Sequence, residues 1–168
     1  MIFVLCLLIA MWTVLLLYPY NAAQQDLILA MFHLREYAVM TAEELAHMHQ
    51  VEYYFVAAFI LTIILAVYAY YRPKPYWHVT LLCVLVSPLT LINFERTWVM
   101  FHQIFFPQGN YYFPYDSYLI TTVPLEFFLI FCAATFILAT ILYGVWTCVY
   151  YRQWLSSFAS SLSSRWSK

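Results

Sequence analysis

The sequence predicts an all-α integral membrane protein with four transmembrane helices, both termini cytoplasmic, and two extracytoplasmic segments at the membrane interface. Three observations predict it. Hydrophobic residues make up 65% of the 168-residue chain and charged residues 9%, against roughly half and a quarter in a soluble domain, so one soluble core could not enclose the apolar side chains. Four apolar runs approach the ~20 residues that a helix needs to cross the hydrocarbon layer. The charged residues also sort by side. In lipid a segment must satisfy its own backbone hydrogen bonds, so the apolar runs are helices.

The runs cover about 2–18, 53–71, 77–94 and 125–150, within one membrane domain, 1–168. The first lacks a basic lead and a small-x-small cleavage site, so it reads as a retained anchor rather than a signal peptide. RPKP at 72–75 ends the second, because proline cannot continue a helix. With the N-terminus inside, five of the seven basic residues fall on the inner side: Arg72, Lys74, Arg152, Arg165 and Lys168. The outer segments hold Arg35, Arg96 and all eight acids. The basic residues set the orientation. In the tail, 152–168, Trp154, Phe158, Leu162 and Trp166 recur at near-helical spacing opposite serines, which predicts an amphipathic helix on the cytoplasmic face.

A net charge of −1 gives no basic surface for nucleic acid. Cys6, Cys83, Cys132 and Cys148 each lie in an apolar run and form no CxxC pair. They read as small buried hydrophobes rather than a disulfide frame, zinc site or redox pair. No cofactor is called for, and the sequence sets no oligomeric state.

Chemistry-bearing residues gather in the two outer segments. In the first, Leu27, Ile28, Met31, Leu34 and Ala38 give 24–40 an apolar helical face. Thr41 and Glu44 then have capping-box spacing, so a helix starts there and meets no interruption before Pro73. This puts His47 roughly 10 Å above the apolar run, near headgroup and glycerol depth. The second segment is crowded with Phe101, Phe105, Phe106, Tyr111, Tyr112 and Phe113, which read as half-buried at the interface around His102. Gln108-Gly109-Asn110 marks a turn, and Pro124 with Glu126 suits the first turn of the last span.

The plainer readings stand beside these. His33 and His78 read as interfacial anchors, and Glu43 or Glu44 can form a helix-surface ion pair with His47. His47 and His49 are two apart on a helix, about 200° around its axis, so they cannot share a metal ion. From spacing alone, His47 and His102 are candidates for acid–base work.

Several motifs resemble the Lit family of bacterial lipoprotein intramolecular transacylases, four-span membrane proteins. AHMHQV supplies His47, Met48 and Val51 ahead of the second span, and FHQIFF, PQGNYYF, DSYLI and VPLEFF follow in the family's order. Gln50 stands where the family usually has aspartate, and the chain is short ahead of His47. The resemblance implies that the sn-2 acyl chain of a diacylglyceryl-modified lipoprotein moves to the α-amine of its N-terminal cysteine. The setting would be the outer face of the bacterial cytoplasmic membrane, and the product an N-acyl, S-monoacylglyceryl lipoprotein. Its partners would be that lipoprotein and membrane lipids.

That chemistry suits histidine. An α-ammonium has a pKa near 8, so a base must free its lone pair; histidine titrates near 6.5 and can later protonate the departing glycerol oxygen. Both reacting groups belong to one molecule, so no serine or cysteine nucleophile is needed. An oxyanion donor is needed, and protonated His102, Arg96, Asn110 or a tyrosine such as Tyr111 can serve; Glu44 is a further substrate-contact candidate. Two other classes compete: a lipid acyltransferase or hydrolase acting on another ester, and a non-enzymatic lipoprotein-binding module. A haem protein would need facing axial histidines inside the bundle.

Overall fold

The computed structural model describes residues 1–33, 35, 40–76, 78, 81–82, 85, 91–109 and 111–166, with side chains to 161. The described residues form helices and their connections, with no strand among them. Among the described residues six helices are delimited: α1 (Ile2–Leu17), α2 (Ala22–Met31), α3 (Ala42–Tyr71), α4 (Phe94–Phe105), α5 (Tyr118–Thr122) and α6 (Leu125–Trp166). Of these, α3 and α6 are long and apolar enough to cross a membrane, and α1 is a shorter apolar helix. Most of the expected run 77–94 lies outside the described residues, as does Cys83.

The packing suits helices in an apolar solvent. Along α3, Val56, Phe59, Ile60, Ile63, Ile64 and Val67 all stand exposed on the surface of the chain, a far larger apolar face than a soluble monomer tolerates. Where lipid replaces water, helices associate through close packing and hydrogen bonds rather than hydrophobic burial. Both devices are present. Ala10 on α1 and Ala139 on α6 are fully buried, and their small side chains let the backbones approach. Trp12 Nε1 donates to Thr62 Oγ1 at 3.2 Å, tying α1 to α3.

α1 runs antiparallel to both long helices. Its start packs with Leu65, Ala69 and Tyr143, and Phe3 meets the Tyr143 ring edge-on at 5.6 Å. Beyond its end, Tyr18 lies 5.1 Å from Phe127, near the start of α6. α3 and α6 therefore run in the same direction, and the bundle has two unlike ends. At one end RPKP is held to α6: Trp146 Nε1 donates to the Pro73 carbonyl at 3.0 Å, and Tyr143 Oη donates to the Tyr76 carbonyl at 3.2 Å while accepting from its N–H at 3.0 Å. At the other, Leu27, Met31, Met48, Leu119, Val123 and Phe127 close a second core.

Local chemistry sets the helix ends. The Thr41–Glu44 capping box forms as its spacing predicts, with Thr41 N donating to Glu44 Oε2 at 2.8 Å and Glu44 N to Thr41 Oγ1 at 3.2 Å. From there α3 runs unbroken to Tyr71 and ends at Arg72, ahead of Pro73. α2 opens on a capping box of its own, Asn21 with Gln24. It stops at Met31, shorter than the apolar pattern to residue 40 implies; His33 sits at φ 56, outside helical space. Leu34 and Ala38 lie outside the described residues. The tail is helical to Trp166, continuing α6 without a break, because no proline or glycine follows Gly144. Cys6 is buried and Cys132 half-buried, but Cys148 is exposed.

Candidate functional site

The second core lies under the place where α3, α4 and the loop after α4 converge. α4 is a helix because Asn93 caps it: its side-chain oxygen accepts from Arg96 N at 3.3 Å. One turn of α4 puts Trp98 and His102 on one face, and the Trp98 ring packs at 4.2 Å on Phe128 of α6. The loop then turns at Gly109, whose φ of 80 is left-handed and whose N–H donates to the Phe106 carbonyl at 3.0 Å. Tyr54 Oη donates to the Phe105 carbonyl, and Gln108 Nε2 donates to Gln50 Oε1 at 2.6 Å. Both bonds tie the loop to α3.

These ties bring His47 and His102 together. Their rings lie 6.0 Å apart between centroids, nearly parallel at 21°, and each residue is only 6% exposed. Phe106 packs on both rings, at 4.5 Å from His47 and 5.4 Å from His102. Phe113 closes over His47 at 5.5 Å, while Trp98 at 4.2 Å and Tyr111 at 5.1 Å flank His102. Two imidazoles thus share an aromatic cage built from chain segments more than fifty residues apart.

Their hydrogen bonds differ. His102 Nδ1 lies 2.9 Å from the Trp98 carbonyl. A carbonyl can only accept, so Nδ1 carries hydrogen, and in the neutral ring Nε2 holds the lone pair. His47 Nδ1 is buried with no hydrogen-bond partner among the described residues. Burial, with a smaller push in the same direction from the neighbouring His102, brings His47 down to about 4. His102 is also lowered by burial, but the bond to Trp98 opposes the shift. Of the two rings, His102 is therefore the better proton acceptor, and both are neutral at pH 7.

The other candidates are more dispersed. Glu44 is 2% exposed. Its oxygens accept from Thr41 N and from Leu119 N, the latter at 2.9 Å. Burial raises its carboxyl, but those donors, with the Thr41 and Ser117 hydroxyls, outweigh it and hold it below the usual range. Glu44 is a cap and a link to α5, and an ionised carboxylate cannot donate to an oxyanion. Tyr111 sits against His102, and its hydroxyl donates to Tyr112 Oη at 3.3 Å; that bond pushes its pKa up. Arg96 is exposed at the start of α4, two turns from His102. Asn110 lies outside the described residues.

His49 points away from His47, as a two-residue helical offset requires, and pairs with Glu52 at 3.1 Å. Among the described residues no three His, Cys, Asp or Glu side chains gather as metal ligands. Of the aromatic residues expected at the interface, Phe106 is buried and Tyr111 and Phe113 half-buried, while Phe101, Phe105 and Tyr112 are exposed. Trp98 was missed as a site residue. Its position four residues before His102 is the signal that points to it, once the segment is taken as a helix.

A neutral base with an oriented lone pair, beside a second neutral imidazole in an apolar cage, suits proton transfer during attack on an ester. No curated protein and no solved structure matches the chain. A family model described as "Lipoprotein intramolecular transacylase Lit" matches residues 7–128, well over half of the chain and a stretch holding both histidines, so the chain belongs to the Lit family.

Proposed function

We propose that the chain moves the sn-2 acyl group of a diacylglyceryl-cysteine lipoprotein to the cysteine α-amine, using His47 and His102 at the outer face of the bacterial cytoplasmic membrane. The stacked histidine pair carries the reading. Topology supports its setting. Tyr76 contacts Tyr143, whereas Trp98 contacts Phe128. Fifteen residues of α6 separate these levels, about 22 Å at 1.5 Å per residue. Tyr76 and Trp98 therefore lie at opposite levels of α6, which supports the reading of a third crossing and four in all. The bundle end that bears Arg72 and Lys74 is then cytoplasmic, and the histidine end extracytoplasmic.

The reaction follows from the two rings. The substrate's α-ammonium gives up one proton to solvent by way of His102 Nε2. The freed lone pair attacks the sn-2 ester carbonyl, forming the C–N bond and an oxyanion. His47, kept neutral by its surroundings, donates an N–H to that oxyanion. His102 takes a second proton from the new ammonium centre, and the Trp98 carbonyl stabilises the imidazolium. The C–O bond to glycerol breaks, and His102 returns the proton to the departing oxygen. An amide and a free glycerol hydroxyl result. The aromatic cage excludes water, which would otherwise hydrolyse the ester.

Mass spectrometry of one lipoprotein's N-terminal lipopeptide tests this, in a bacterium lacking its own N-acylation activity. The N-acyl, S-monoacylglyceryl cysteine is expected with the gene and absent without it. If His47→Ala and His102→Ala both leave that product intact, the histidine mechanism is wrong. An unchanged diacylglyceryl cysteine, with folded protein in the membrane, favours another lipid ester or a binding role.

A further inference from the structure

The opposite end of the bundle holds a second feature, which the acyl-transfer reading does not use. A cavity of about 450 Å³ opens between the start of α1, the end of α3, the RPKP turn and α6. Arg72 and Lys74 line it together with Tyr68, Tyr71 and Tyr143, and Ile2 adds an apolar wall. Its shape is built in. Tyr143 is 1% exposed and grips both backbone groups of Tyr76, Trp146 holds the Pro73 carbonyl, and Pro75 is fully buried. The turn carrying the two cations is thus fixed to α6 rather than free to collapse on them.

Charge decides what such a cavity takes. None of the eight acids in the sequence lies between residues 53 and 94 or beyond 126, and the lining includes no carboxylate. Among the described residues, none lining the cavity offers Arg72 and Lys74 a carboxylate counter-charge. A guanidinium and an ammonium two residues apart, next to phenol rings, match a phosphate group's oxygens. The tyrosine and isoleucine walls match the glycerol and first methylenes that follow a phosphate in a phospholipid. Basic pockets between helices at a membrane surface recognise headgroups in this way.

We infer that this cavity between α1, α3 and α6 binds a phosphate group through Arg72 and Lys74. The site stands apart from the histidine pair and does not depend on the transacylase reading. Thermal unfolding of the full chain in neutral detergent tests it, with added dioleoylphosphatidylglycerol, dioleoylphosphatidylcholine or inorganic phosphate. The anionic lipid is expected to raise the midpoint saturably and the zwitterionic lipid much less. Arg72→Gln or Lys74→Gln should each raise the half-saturating concentration about fivefold, and the double variant roughly thirtyfold. The charge-keeping pair Arg72→Lys with Lys74→Arg, which retains both positive charges, should stay within about twofold. Stabilisation by inorganic phosphate alone, lost in the double variant, would assign the site to free phosphate. No saturable stabilisation by either source overturns the inference. So does stabilisation that survives in the double variant, or an Arg152→Gln effect equal to that of Arg72→Gln, since either means diffuse surface charge.

Discussion

Glu44, in the first turn of α3, accepts the backbone N–H of Leu119 at the start of α5 with a 2.9 Å bond. The same carboxylate closes the capping box with Thr41, so one buried side chain both starts α3 and holds the second outer segment against it. Replacing it with alanine removes a cap and leaves Leu119 N unpaired. Glu44→Ala should destabilise the chain by about 2–3 kcal/mol; Glu44→Gln, which keeps one acceptor oxygen, should cost less. Thermal unfolding in detergent measures both. Because its carboxyl is held below the usual range, the Glu44 contribution is present above the unfolded carboxylate pKa and is lost as pH falls through the folded one. The difference between wild type and Glu44→Gln should therefore shrink in acid; a constant difference would deny that the ionised form makes these bonds.

The two histidines should fail in different ways. In the proposed mechanism His102 is the base, and no neutral replacement supplies its lone pair, so His102→Ala and His102→Gln should both lower acyl transfer at least about 100-fold. His47 needs only an N–H, which glutamine also offers. His47→Gln should retain more activity than His47→Ala, whose loss should be about 100-fold or more. Initial rates of lyso-lipopeptide formation by purified variants distinguish these outcomes. Equal loss for His47→Gln and His47→Ala would assign His47 a proton-transfer role instead.

Much of this arrangement was legible where the physics is local. Thr41 and Glu44 are three residues apart, so their mutual capping follows from helix geometry. Proline ends α3 at Arg72, and glycine marks the turn at Gly109 for equally local reasons. The second role of Glu44 was not legible, because Leu119 lies in a distant segment that only the fold brings near. The Trp98 carbonyl beside His102 was hidden behind the aromatic crowding of that segment, which obscured α4 as a helix. The end of α2 at Met31 overrides an apolar pattern that runs further, since His33 leaves helical space. Sequence left the two histidines interchangeable, and the hydrogen bond that fixes Nδ1 of His102 is the difference on which the proposed division of roles rests.

The histidine limb of the pH–rate profile should lie below the ordinary histidine range. Burial lowers both histidines, His47 to about 4. A depressed pKa leaves a ring neutral down to that lower value, so the histidine limb should fall below pH 6.5, in the window down to about 4. Stability follows the same sign. The unfolded histidines take up protons near 6.5 while the folded ones do not, so stability is full above 6.5 and is lost as pH falls toward the folded values. The substrate's α-ammonium adds a limb of its own near 8, so the histidine limb is the second break, where log rate against pH steepens further; a second break at or above 6.5 would contradict the buried, neutral pair.

Gln50 offers the sharpest test of how the outer loop is held. It accepts from Gln108 at 2.6 Å and lies one helical turn after His47, on the same side of α3. Gln50→Leu removes the acceptor that ties the loop to α3. Because the bond is exposed, this should lower stability by only about 0.5–1.5 kcal/mol, while loosening the loop that carries Phe106 and Tyr111 against the histidines. Activity should therefore fall more than stability does. Gln50→Glu keeps the acceptor and adds a negative charge near His47, which favours imidazolium. It should preserve the loop but move the histidine limb of the rate profile to higher pH, the direction opposite to burial. Comparing unfolding midpoints and pH–rate profiles for the two variants separates the effects. If Gln50→Glu leaves the histidine limb unmoved, Gln50 is too far from the pair to tune it, and its role is confined to holding the loop.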